Sequence, residues 1–86
     1  MPVVEVVKSP NCPRCEVLIK ALERLGVEYR VLDLSSVEDQ TELVMRDIYI
    51  VSTPALIVDG SVHTSDKLFP SGDELDVEFL RKVIRK

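Results

Sequence analysis

Val3-Val4-Glu5-Val6-Val7-Lys8-Ser9-Pro10-Asn11-Cys12-Pro13-Arg14-Cys15-Glu16-Val17-Leu18 holds a strand, a loop and a helix start in close succession. Pro2 to Val7 reads as a strand, since valines surround Glu5 and make both faces apolar, as in a central strand covered on both sides. Ser9 to Pro13 is loop chemistry, with prolines at 10 and 13. Cys12 stands at or next to a helix N-cap, where unpaired backbone N–H groups and the helix dipole favour negative charge. A thiol there ionises more readily, and the thiolate is the reactive form. Pro13 suits the first helical position because no hydrogen bond is lost there. Arg14 and Lys8 add positive charge nearby. Cys15 follows at three residues, close enough in a helical turn to close a disulfide with Cys12. Cys12 at the tip would attack a partner's disulfide, and Cys15 one turn inside would release it. A metal site is the rival use of such a pair. Tetrahedral zinc wants four ligands, and only His63 could supply a third from the Cys and His set, so zinc or iron–sulfur binding would need two chains. His63 by itself reads as a surface histidine in a strand near a turn.

Beyond the cysteines, Val17, Leu18, Ala21, Leu22 and Leu25 form one helical stripe, and Gly26 stands where a helix C-terminal glycine belongs. Tyr29 to Leu34 reads as a second strand, parallel to the first because a single helix connects them. Ser35 and Ser36 offer an N-cap to a second helix that buries Leu43, Val44 and Ile48 and ends before Val51. Ala55 to Val58 is a short apolar strand, Asp59-Gly60 a hairpin turn, and Ser61 to Thr64 the return strand. After Pro70 and Gly72 comes a final helix, acidic at its start (Asp73, Glu74, Asp76) and basic at its end (Arg81, Lys82, Arg85, Lys86). Leu75, Phe79, Leu80, Val83 and Ile84 give it an apolar stripe. The expected order is β-α-β-α-β-β-α, an α/β sandwich with helices on both faces of a mixed four-stranded sheet.

The chain's 86 residues, 45% apolar and 30% charged, suit one domain, 1–86, with a modest core and no need of covalent staples. A net charge of −4 argues against nucleic acid and against a polybasic membrane anchor. No apolar run approaches the ~18 residues of a membrane span, and the N-terminus lacks a basic-then-apolar leader. Two cysteines are too few for a disulfide-dense secreted scaffold. A small acidic cytoplasmic monomer is expected.

Cys12-Pro13-Arg14-Cys15, followed about forty residues later by Val51-Ser52-Thr53-Pro54-Ala55-Leu56-Ile57-Val58-Asp59-Gly60, resembles the thioredoxin-fold proteins. The likeness is strongest to the small glutaredoxin-like redox proteins, and it covers essentially the whole chain. It implies a thioredoxin-like fold and a thiol–disulfide oxidoreductase that reduces protein disulfides. Cys12 would be the nucleophile and Cys15 the resolving thiol, with Pro13, Arg14, Thr53 and Pro54 meeting the substrate. It also implies that Pro54 is cis and that Thr53 offers its backbone to a substrate segment docking as an added strand. A proline that simply starts a strand is the plainer alternative. The chain departs from thioredoxins proper in having no tryptophan and in placing proline directly after the first cysteine. It departs from typical glutaredoxins in Arg14, where they have tyrosine, and in Val62-His63-Thr64-Ser65-Asp66, where they carry a glycine pair and an aspartate that hold glutathione. Without those glycines the backbone cannot approach the glutathione carboxylate as readily. The resemblance therefore favours protein partners and a thioredoxin-reductase-type donor, with no bound cofactor, over glutathione dependence. A metal or iron–sulfur module in a dimer and a non-catalytic docking domain are the rivals from other classes. Glu5 has two readings, a buried proton-transfer carboxylate as thioredoxins have, or an acid paired with a basic side chain; the second is favoured.

Overall fold

The chain folds, in a computed structural model that describes residues 3–84, into β1 (Val4–Lys8), α1 (Pro13–Arg24), β2 (Arg30–Asp33), α2 (Val37–Met45), β3 (Ala55–Val58), β4 (Ser61–His63), α3 (Ser65–Leu68) and α4 (Val77–Ile84). The sheet order is β2-β1-β3-β4, with β1 parallel to β2 and antiparallel to β3, and β3 antiparallel to β4. Alternation along the central strands sends side chains to two layers. Val4, Val6, Leu56 and Val58 face Leu18 and Leu22 of α1 and Leu80 and Ile84 of α4, closed at one end by Leu68 and Phe69. Val7, Leu32, Ala55 and Ile57 face Leu43 of α2. Burying each large apolar side chain contributes roughly 1.5–3 kcal/mol. Ten buried residues against five, among those described, make the α1/α4 layer the main source of stability.

Local chemistry sets the element ends. At the C-terminus of α1, Gly26 takes φ 69°, its N–H donates to the Glu23 carbonyl, and that of Val27 donates to Leu22. This paired closure satisfies carbonyls that the helix leaves open. α2 closes the same way, Asp47 at φ 58° standing in for glycine, with the N–H of Ile48 on the Leu43 carbonyl at 2.9 Å. The Ser36 hydroxyl caps the start of α2 by accepting from the Asp39 N–H at 3.3 Å. Asp59 and Gly60 both have positive φ, 50° and 86°, the turn whose twist matches a two-residue hairpin.

Four expectations from the sequence need correction. A short helix, α3, follows β4, so the order ends β-β-α-α. The last helix starts at Val77, not near Asp73, because the Asp76 carboxylate caps it, accepting from the Phe79 N–H at 3.0 Å. Asp73 and Glu74 lie in the preceding turn. Val44 is exposed, since it lies about 100° around α2 from Leu43, and Ile48 packs beyond the helix end. Val17 is exposed for the same geometric reason, leaving Cys15, Leu18 and Leu22 as the buried residues of α1. Pro2, Arg85 and Lys86 lie outside the described residues.

Glu5 alternates with Val4 and Val6 onto the α2 face and is 5% exposed. Arg46, just past α2, reaches it with both guanidinium nitrogens, Nη1 to Oε1 at 2.8 Å and Nη2 to Oε2 at 3.1 Å. Arg30 lies 3.5 Å from Oε2 and grips Glu42 with two bonds of 2.9 and 2.7 Å; Arg46 also bonds Glu42. Glu5 is thus a paired structural acid. These bonds from Arg30, and the charge beside them, hold the Glu42 carboxyl below its ordinary 4.5.

Candidate active site

Because β1 and β3 are antiparallel neighbours, the C-terminal end of β1 lies beside the N-terminal end of β3. The loop after β1 turns through Asn11 at φ 54°, a left-handed conformation that asparagine tolerates. It delivers Cys12 to the N-cap of α1, with Pro13 opening the helix. Cys12 Sγ accepts a hydrogen bond from the Cys15 N–H at 3.2 Å. Cys12 and Cys15 are joined as a disulfide, their Cα atoms 5.3 Å apart. The two sulfurs are not equivalent. Cys15 is 1% exposed and Cys12 half-buried, so an incoming group meets Cys12 first.

The turn before β3 faces Cys12. The Thr53–Pro54 bond is cis, Pro54 is buried, and the Thr53 hydroxyl lies 3.7 Å from Cys12 Sγ. That hydroxyl is also 2.7 Å from the Ser9 hydroxyl, which ties the β1 loop to the β3 turn. With Ser9 donating to Thr53, the Thr53 proton is free to point at sulfur, a favourable arrangement for a thiolate. From below, the Ser65 hydroxyl of α3 donates to the Pro54 carbonyl.

Arg14 does not point at the sulfurs. Its half-buried side chain crosses the site, donating from Nη2 to the Thr53 carbonyl and from Nη1 to the Gly72 carbonyl, each at 3.3 Å. The guanidinium carbon lies 5.6 Å from the centroid of the Phe69 ring, in reach of a cation–π attraction. A pocket of about 400 Å³ adjoins the disulfide, with Lys8, Ser9, Asn11, Glu16 and Ile19 lining it beside Cys12, Pro13 and Cys15.

The structure therefore brings together Cys12, Cys15, Arg14, Thr53 and Pro54, with Pro13 exposed on the rim. Ser9, Ser65, Phe69 and Gly72 also shape the site, and the sequence reading did not single them out. Ser9 could have been suspected from its place three residues before Cys12; the others follow only from the tertiary fold. His63 is half-buried instead of on the surface, edge-on to Phe79 at 5.6 Å. Burial, and then the Lys67 charge, hold its imidazole below the ordinary 6.5. Among the described residues no three His, Cys, Asp or Glu side chains gather as a ligand set for a metal ion.

A helix-tip disulfide set against a Thr–cis-Pro turn across a mixed four-stranded sheet is the arrangement of the thioredoxin class of fold, and this chain has it. It belongs to the thioredoxin domain family, whose pattern matches residues 3–85. Among solved structures it is similar to the thioredoxin-like protein BC3987, at 24% identity over 93% of this chain and 97% of that one, with a TM-score of 0.69. A single-substitution mutant of that protein matches at 25% identity over 94% and 97%, TM-score 0.67. A glutaredoxin from Archaeoglobus fulgidus matches at 20% identity over 100% of this chain and 89% of that one, TM-score 0.67. No curated protein matches the chain.

Proposed function

We propose that the chain is a thiol–disulfide oxidoreductase that reduces protein disulfides, with Cys12 as nucleophile and Cys15 as resolving thiol. The observation that carries this reading is the asymmetry of the pair: one reachable sulfur at a helix N-terminus, one buried sulfur directly behind it. In the reduced protein the Cys12 thiolate attacks a substrate disulfide. A Cys12–substrate bond forms, the substrate S–S bond breaks, and one substrate sulfur leaves as a thiolate that takes up a proton. Cys15, losing its proton, then attacks Cys12 Sγ, forms the intramolecular disulfide and releases the second substrate thiol. Two electrons pass to the substrate, and an external dithiol donor of the thioredoxin-reductase type returns them. No bound cofactor takes part.

The N–H of Cys15 and the hydroxyl of Thr53 would stabilise the Cys12 thiolate alongside the helix dipole. Thr53 and Pro54 would dock the substrate segment, with Pro13 and Arg14 at its edge. Side chains at 64 and 65 favour protein substrates over glutathione: Thr64 bonds Asp66, and Ser65 bonds Pro54, where the glutaredoxin likeness would have bare glycine backbone. In the cytoplasm the chain would work as a monomer.

Two assays test the reading. Cys15→Ser is expected to accumulate a mixed disulfide with a model protein disulfide, and Cys12→Ser to accumulate none; equal trapping by both overturns the role assignment. Turnover driven by a thioredoxin-type reductase is expected to exceed that driven by glutathione, and the opposite ranking overturns the choice of donor.

A further inference from the structure

We infer that Arg14 is a specificity-determining residue that selects disulfides flanked by an acidic side chain. The inference rests on the exchange reaction proposed above and adds to it a substrate class. An extended segment docking at Thr53 needs backbone hydrogen-bonding groups there, and Arg14 Nη2 already occupies the Thr53 carbonyl. Nη1 on the Gly72 carbonyl and the Phe69 ring hold the guanidinium across the site from a second side. All three partners are backbone carbonyls or a ring, so the clasp itself involves no sulfur.

A docking segment therefore meets Arg14 at a carbonyl it must share, and the guanidinium can exchange its long bonds there for a better acceptor on the segment. Guanidinium has five donors in a rigid fork that matches a carboxylate with two parallel bonds. Its present acceptors are two separate neutral carbonyls at 3.3 Å, beyond the usual 2.7–3.2 Å range of N–H···O bonds. A substrate Asp or Glu next to the reacting cysteine replaces them with a shorter, bidentate pair between opposite charges. A neutral neighbour leaves Arg14 competing for Thr53. Lysine would reproduce this only in part, since its ammonium keeps the charge but lacks the planar fork that meets a carboxylate with two parallel bonds.

The test uses two synthetic disulfide peptides, identical except for Glu or Gln beside the target cysteine. The wild-type protein is expected to prefer the Glu peptide by about three- to tenfold in kcat/KM, through KM rather than kcat. Arg14→Gln is expected to abolish the preference and to lower KM for the Gln peptide, while Arg14→Lys retains less than half of the preference. Reduction of a small non-peptide disulfide, which needs no strand docking, reports on the chemistry alone. Wild-type turnover of the peptides without preference, or a preference that survives in Arg14→Gln, overturns the inference. Failure of the wild-type protein to reduce even the small disulfide instead overturns the proposed reaction.

Discussion

Replacing Arg46 with alanine isolates the role of Glu5. The substitution removes the two bonds, 2.8 and 3.1 Å, that hold a carboxylate only 5% exposed. Breaking a buried ion pair from one side costs about 3–5 kcal/mol, because the stranded charge has lost its solvent and its partner. Two features reduce that here. Arg30 remains 3.5 Å from Oε2, and the Arg46 side chain is itself 36% exposed, so water can reach the gap. A loss of about 2–3 kcal/mol is expected, out of a total of about 4–13 kcal/mol for a chain this long. Glu5→Val removes the charge and continues the valine run of β1, so its cost should stay below about 1 kcal/mol. In that background Arg46→Ala should also cost less than about 1 kcal/mol, since no buried charge is left behind. Urea denaturation of the four proteins gives the cycle. Equal costs of Arg46→Ala in both backgrounds would refute the ion-pair account. Disulfide reduction by Glu5→Val should stay within about twofold of wild type; a drop of about 100-fold, the scale of lost general acid–base catalysis, would restore the proton-transfer role.

Three further outcomes follow from the structure. Thr53→Val removes a donor 3.7 Å from Cys12 Sγ, and should lower the fraction of Cys12 present as thiolate in the reduced protein at neutral pH, read from thiolate absorbance. His63 is held below 6.5, so the unfolded chain binds its proton first as pH falls. Stability should therefore decline on acidification through about pH 6.5, and His63→Gln should flatten that decline in denaturation curves between roughly pH 7 and 5. The Glu42 contribution, with its carboxyl held below 4.5, is lost only at lower pH. Ser36→Ala should cost about 1 kcal/mol and speed amide exchange in the first turn of α2, where its hydroxyl accepts from Asp39.

What the sequence made legible was whatever is written in adjacent residues. The valine run, Cys12-Pro13-Arg14-Cys15, the serines before α2 and Asp59-Gly60 each carry a local preference strong enough to survive in the fold. Thr53-Pro54 could be matched to the cysteines only through a family likeness, because nothing local says what a proline at the head of a strand will face. α3 escaped because four residues show no periodicity, and the Thr64 side chain forms no capping bond to the backbone. The start of α4 was misplaced because Asp73, Glu74 and Asp76 all suit a helix beginning; only Asp76 reaches a helical N–H. The contacts of Arg14 with Thr53 and Gly72 span 39 and 58 residues, and those of Arg46 with Glu5 span 41. Such partners are chosen by where the sheet ends meet, which composition and spacing do not reveal.

The meeting of the β1 and β3 ends has a consequence for how much the rest of the chain may vary. Cys12 and Thr53 are 41 positions apart in sequence, yet each is fixed by a strand already hydrogen-bonded to its neighbour. The span between them behaves as a detour. Lengthening the exposed stretch at Val51 and Ser52 should leave both strand ends paired and the two halves of the site in register. The pair of strands holds the two halves of the site together, so length added to the exposed part of the span between them changes the outline of the molecule without moving the sulfur.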